Sequence, residues 1–224
     1  MGSPEHVYDT VSYGGADWTV VSVGDRAFDG CGSLTAADLP SATYVGKDAF
    51  FDCDSLTTAD LRSATYVGDH AFEGCGSLTT ADLRSAKSVG DGAFQGCDSL
   101  EYVDMSSSTT IGDSALYQCD ALKHVRFSDE LESVGSYAFM VFFYSGSERL
   151  AVDADSLRGR TFTGDGDRRL YESFEISWLD DAGALADTTF ARKGETPSHD
   201  GLTKEPTDCT RTSSRDGART PGPP

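Results

Sequence analysis

The chain has 224 residues, 18 Lys and Arg against 37 Asp and Glu, a net charge of −19, and only 38% hydrophobic residues. The length allows one or two domains. The charge excludes a surface built to grip nucleic-acid phosphates, which needs clustered cations, and no stretch approaches the roughly 20 apolar residues of a membrane helix.

Low apolar content with high charge is the composition of a disordered chain, unless a repeat lets a thin core run on from unit to unit. Residues 1–6, Met-Gly-Ser-Pro-Glu-His, have neither a basic stretch nor an apolar core, so no signal peptide is expected here. The reading is then an intracellular protein or a segment of a longer precursor. Residues 1–22 are expected to form an N-terminal cap and a first strand.

A 22-residue period starts at Val23-Gly24 and returns at Val45, Val67, Val89 and Ile111, with Val134 after 23. Phe28, Phe50, Phe72 and Phe94 keep the step, as do Cys31, Cys53, Cys75, Cys97 and Cys119, and Leu34, Leu56, Leu78, Leu100 and Leu122. Within one unit Ala71, Phe72 and Cys75 share a face of a short helical turn. Ala81 and Leu83 then alternate with Thr80, Asp82 and Arg84 along an extended segment. The expected fold is an α/β leucine-rich-repeat solenoid over 23–145, one strand and one short helical turn per coil, each coil burying its neighbour's apolar face.

The unit V-G-x-x-A-F-x-x-C-x-S-L-x-x-A-D-L resembles the BspA-like leucine-rich repeats of microbial surface proteins, over roughly residues 18–145. The resemblance implies surface display, adhesion, and binding of protein or glycan on host or neighbouring cells by a secreted or cell-surface monomer. It brings no catalytic residue, metal or cofactor. One departure is the strand A-D-L, where the family commonly carries two bulky aliphatics, and it thins the core.

After the array, the apolar run 137–144 suits the last coil. Residues 149–157 and 160–171 read as strands with a turn at 164–167, and 146–172 as a β-rich cap. Residues 173–208 resemble an incomplete Listeria–Bacteroides (internalin-type B) repeat, a β-grasp-like spacer. They carry an opening strand ending in Trp178, a D-x-x-G-x-L turn at 180–185 and a Gly-x-Thr-Pro segment at 194–197. Such modules end in Y-x-F-x-G-W. One allowed set of codons for 208–223, read two bases later, restores that strand, so 209–224 reads as a frameshifted, disordered ending.

Stacked coils aim the five periodic thiols in one direction, which suits neither disulfide nor zinc geometry. A buried thiol ladder is expected. On the outward, concave side, Asp38, Asp60, Asp82 and Asp104 form a column, with Arg126 next in line and Arg62 and Arg84 two residues along from their Asp. Tyr102 and His124 stand outward where earlier coils have Ala36, Thr58 and Thr80. This acidic face reads either as a strip for a cationic or hydroxyl-rich ligand or Ca²⁺, or as a solvated surface. Residues 55–64 repeat at 77–86 without change, outward positions included. An active site needs unlike groups converging on one point, so binding is favoured over catalysis. The other readings are a structural envelope stalk and an intracellular interaction scaffold.

Overall fold

The computed structural model describes residues 5–145, 147–164, 168–179 and 185–193. Most of the 164–167 and 180–185 turns, the 194–197 segment and the 209–224 tail lie outside the described residues.

Alternation along each coil builds the first layer. Strands Ala36–Asp38, Thr58–Asp60, Thr80–Ala81, Tyr102–Met105 and His124–Phe127 run parallel and in register, so one 22-residue step carries a residue to the same place on the next strand. Ala37, Ala59 and Ala81 are buried where Val103 and Val125 follow them, and Leu39, Leu61 and Leu83 are buried two residues on. His6–Tyr8 extends this sheet at one end, parallel to Ala36–Asp38. At the other end the direction reverses. Thr161–Thr163 runs antiparallel to His124–Phe127, and Arg169–Leu179 antiparallel to Thr161–Thr163. Arg169–Leu179 crosses the boundary expected at 172/173. It also pairs with Phe142–Ser145 and Leu185–Arg192.

The expectation of one strand per coil needs correction. The residues at the Val-Gly step form a second, six-stranded parallel sheet from Ser22–Val23, Tyr44–Val45, Tyr66–Val67, Ser88–Val89, Thr110–Ile111 and Ser133–Val134. From Gly46 onward, the glycine at this step is set by close approach to the coil before it. A Cβ on Gly68 would stand 2.7 Å from the Gly46 carbonyl carbon and 2.8 Å from the Lys47 nitrogen.

The expected helical turn is also absent. Residues 68–78 instead form a chain of tight turns, with Ala71, Glu73, Cys75 and Leu78 each donating to the carbonyl three residues back. The intervening His70, Phe72 and Gly74 N–H groups donate to Asp91, Ala93 and Gln95 of the next coil, at 2.8, 2.7 and 2.9 Å. Two residues per coil in the left-handed region make this possible. His70 has φ 54° and Gly74 φ 76°, and Asp48 and Asp52 hold the same places one coil earlier. A left-handed residue cannot continue a right-handed helix, so the A-F-x-x-C spacing buries the same side chains through alternating turns.

The core is a set of columns. Phe28, Phe50, Phe72 and Phe94 stack with centroids 5.1, 4.9 and 5.1 Å apart. All five described cysteines are free, and four are buried. The Cys53, Cys75, Cys97 and Cys119 thiols each donate to the Phe28, Phe50, Phe72 or Phe94 carbonyl of the preceding coil at 3.1 Å. Burial pushes the Cys97 and Cys119 thiols up, away from thiolate.

Beyond the array, only Arg149 of the run 149–157 lies in a strand, Glu148–Arg149. Asp153 accepts from the Ser156 N–H at 2.8 Å and caps a one-turn helix, Ala154–Leu157, whose Leu157 is buried. Ser145, Arg160 and Lys193, from three separate segments, converge on Glu172 at 2.6, 3.3 and 3.0 Å. Burial alone would raise this carboxyl, but these partners outweigh it and hold it below the usual range. At the N-terminus, between His6–Tyr8 and the first coil, Thr10–Tyr13 and Ala16–Thr19 form a hairpin around Gly14-Gly15. Its Val11, Tyr13 and Trp18 are exposed.

Candidate binding face on the long sheet

The period and the two-residue alternation deliver one outward pair per strand. These are Ala36 and Asp38, then Thr58 and Asp60, then Thr80 and Asp82, then Tyr102 and Asp104, then His124 and Arg126. All nine sequence-predicted residues, including Arg62 and Arg84, therefore belong to one sheet face, though not in one chemical state.

Arg62 folds back on Asp60, its Nε donating to Oδ1 at 3.0 Å and its Nη2 to Oδ2. Arg84 does the same to Asp82, with Nε–Oδ1 at 2.8 Å and Nη2–Oδ2 at 2.7 Å. The Arg62 hydrogen bond holds the Asp60 carboxyl below the usual range. Such solvated pairs contribute little to stability. Their effect is to pin both groups flat in the same pose one coil apart. Asp38 has Pro40 at the corresponding place, and Asp104 accepts from the Ser106 N–H at 2.9 Å.

The face is therefore not the acid strip expected from sequence. Its four Asp meet three Arg, whereas the turn segments 24–33, 46–55, 68–77, 90–99 and 112–121 carry eleven carboxylates against Arg26 and Lys47. Those turn segments therefore carry a net −9 of the protein's −19.

His124 is a second correction. Its position is outward, but it is only 8% exposed. Tyr102 stacks on one face of the ring at 4.7 Å, and Thr163 pairs with it across the sheet from the antiparallel strand. Burial lowers its basicity. Asp104 works against that shift and Arg126 adds to it. Tyr102 remains 39% exposed, its phenol pushed up first by burial and then by Asp104.

Between the two Asp–Arg pairs and the Tyr102 ring lies a depression of about 310 Å³, floored by Thr58, Ala59 and Thr80. The sequence pattern placed its lining residues other than the inward Ala59 on one face without revealing the hollow itself. The N-terminal hairpin was also missed, although Gly-Gly between two alternating runs signals one. Among the described residues no group of three His, Cys, Asp or Glu is placed to hold a metal ion, and no helix is long and apolar enough to cross a membrane.

Comparison with known proteins agrees with this architecture. Six copies of the BspA type leucine rich repeat region match residues 21–142. No curated protein matches the chain. Among solved structures, a leucine rich cell surface protein from Faecalibacterium prausnitzii A2-165 superposes with a TM-score of 0.56 at 24% identity, over 64% of this chain and 42% of that one. A leucine rich repeat protein from T. pallidum superposes with a TM-score of 0.52 at 29% identity, over 64% of each chain. The chain thus spans less than two thirds of either neighbour's length. With six repeats matched over more than half its length, the chain belongs to the BspA type leucine rich repeat family.

Proposed function

We propose that this protein is a non-enzymatic adhesin of the cell surface, secreted or displayed. The outer, concave face of its long sheet recognises a macromolecule on host or neighbouring cells. In this reading 23–145 is the binding array, 146–172 closes its end and 173–208 acts as a spacer. The observation that carries it is the repeated Asp60–Arg62 and Asp82–Arg84 pair bordering a hollow closed by Tyr102. Repetition of one polar pattern along an axis suits an extended ligand, and an exposed aromatic beside it is the kind of group that anchors a partner. The cell-surface neighbour of the same fold supports the location.

The test is a screen of the chain against immobilised mucins, matrix proteins, glycans and microbial cell walls, with Asp60→Lys and Tyr102→Ala alongside. Saturable binding weakened in both variants is the expected result. A second reading, a structural stalk, is favoured by the acid-rich turn side, and it predicts silence across the panel from a folded sample.

A further inference from the structure

One face of the Tyr102 ring is covered by His124, 7° from parallel. The opposite face looks back along the sheet towards Thr80, its register partner, whose side chain is too short to cover it. That open face forms one wall of the 310 Å³ depression, and the Asp82–Arg84 pair forms its side. Ligand pockets run from about 300 to 1,000 Å³, so this one holds a single ring-sized group and no folded segment.

Resting on the concave-face reading, we infer that the depression is a subsite for one neutral pyranose ring of a glycan chain. The ring stacks on Tyr102 and its vicinal hydroxyls bond to Asp82 and Arg84.

The chemistry of the lining selects this ligand. A carboxylate bridged by a guanidinium keeps free lone pairs, and the guanidinium keeps free N–H groups. Side by side they match a diol, which offers a donor and an acceptor on adjacent carbons. The π-face of an aromatic ring is negative and attracts the polarised C–H face of a sugar. The Asp60–Arg62 pair presents the same groups one coil away, about 4.8 Å on, close to the length of one sugar unit.

Other ligands fit less well. Every strand from Ala36–Asp38 to His124–Phe127 is paired on both sides, so no edge there can take an added peptide strand. Asp60, Arg62, Asp82 and Arg84 make half of the lining charged, which suits hydroxyl groups better than an apolar side chain. The net charge of −19 repels an anionic polysaccharide.

The full chain would be titrated calorimetrically with cellohexaose, mannohexaose, maltohexaose and chitohexaose, and with a heparin hexasaccharide, at low and physiological salt. The expected result is saturable binding of at least one neutral hexaose, insensitive to salt. Affinity falls about tenfold in Tyr102→Ala and in Asp82→Asn and is retained in Tyr102→Phe, which keeps the ring. Silence of all four neutral hexaoses, or binding of heparin alone, overturns the inference. Neutral binding unchanged in Tyr102→Ala also overturns it, because the sugar then sits elsewhere. Absence of Tyr102-dependent binding to every member of the immobilised panel would sink the broader concave-face reading. Protein binding there with silent hexaoses would sink only the sugar.

Discussion

Tyr102 and His124 stack 4.7 Å apart, yet one is 39% exposed and the other 8%. The pair turns a buried imidazole into the backing of an exposed phenol ring, so the protonation state of His124 bears directly on the face. Its folded pKa lies below 6.5. Between that folded value and 6.5 the unfolded chain binds more protons, and stability rises with pH. The contribution of neutral His124 is whole above 6.5 and is lost as pH falls through the folded value. Denaturant midpoints of the native chain and His124→Gln, followed from neutral to acidic pH, should therefore converge on acidification. A constant difference across that range would contradict the burial-driven shift.

The Val-Gly step permits a comparison of two chemically identical substitutions. Gly68→Ala drives a methyl group into the backbone of Gly46 and Lys47 and should cost about 1–3 kcal/mol. Gly24 begins the first coil and has nothing within 4 Å of the same position. Gly24→Ala should be neutral or stabilising by up to about 1 kcal/mol, because it restricts the unfolded chain. Chemical denaturation of both variants decides the point; equal losses would mean that coil stacking is not what selects glycine.

The thiol ladder makes a prediction about reactivity. Cys31 is partly exposed at the start of the column, whereas Cys53, Cys75, Cys97 and Cys119 are buried and donate to carbonyls. Among the five described cysteines, brief iodoacetamide treatment followed by peptide mapping should modify Cys31 first, and the other four only after denaturation. Early modification of Cys75 or Cys97 would show that the coils open locally.

Much of this fold was legible because a solenoid converts sequence period into spatial register. Phe72, Cys75, Leu78 and Leu83 could be placed in the core from one unit alone, and they are buried. The turns were harder. An i, i+1, i+4 spacing buries the same side chains whether the backbone is helical or alternates through left-handed residues. The distinguishing signal was the Gly or Asp at 30, 52, 74 and 96, all of which have positive φ. His124 was misjudged for a non-local reason. Its outward parity was right, but the strand that covers it, Thr161–Thr163, comes from beyond the repeat and has no repeating signature. The pairing of Arg62 with Asp60 and of Arg84 with Asp82 followed from side-chain folding that residue order only permitted.

The most direct measurement compares the two sides of the solenoid in one adhesion assay. The full chain would be offered to host and microbial cells beside a long-sheet variant, Arg84→Glu with Tyr102→Ala, and a turn-side variant, Asp54→Lys with Asp98→Lys. All four positions are exposed. Loss of cell binding in the first variant, with binding kept in the second, is the predicted result. Binding that survives the long-sheet changes and falls with the turn-side ones would contradict the account.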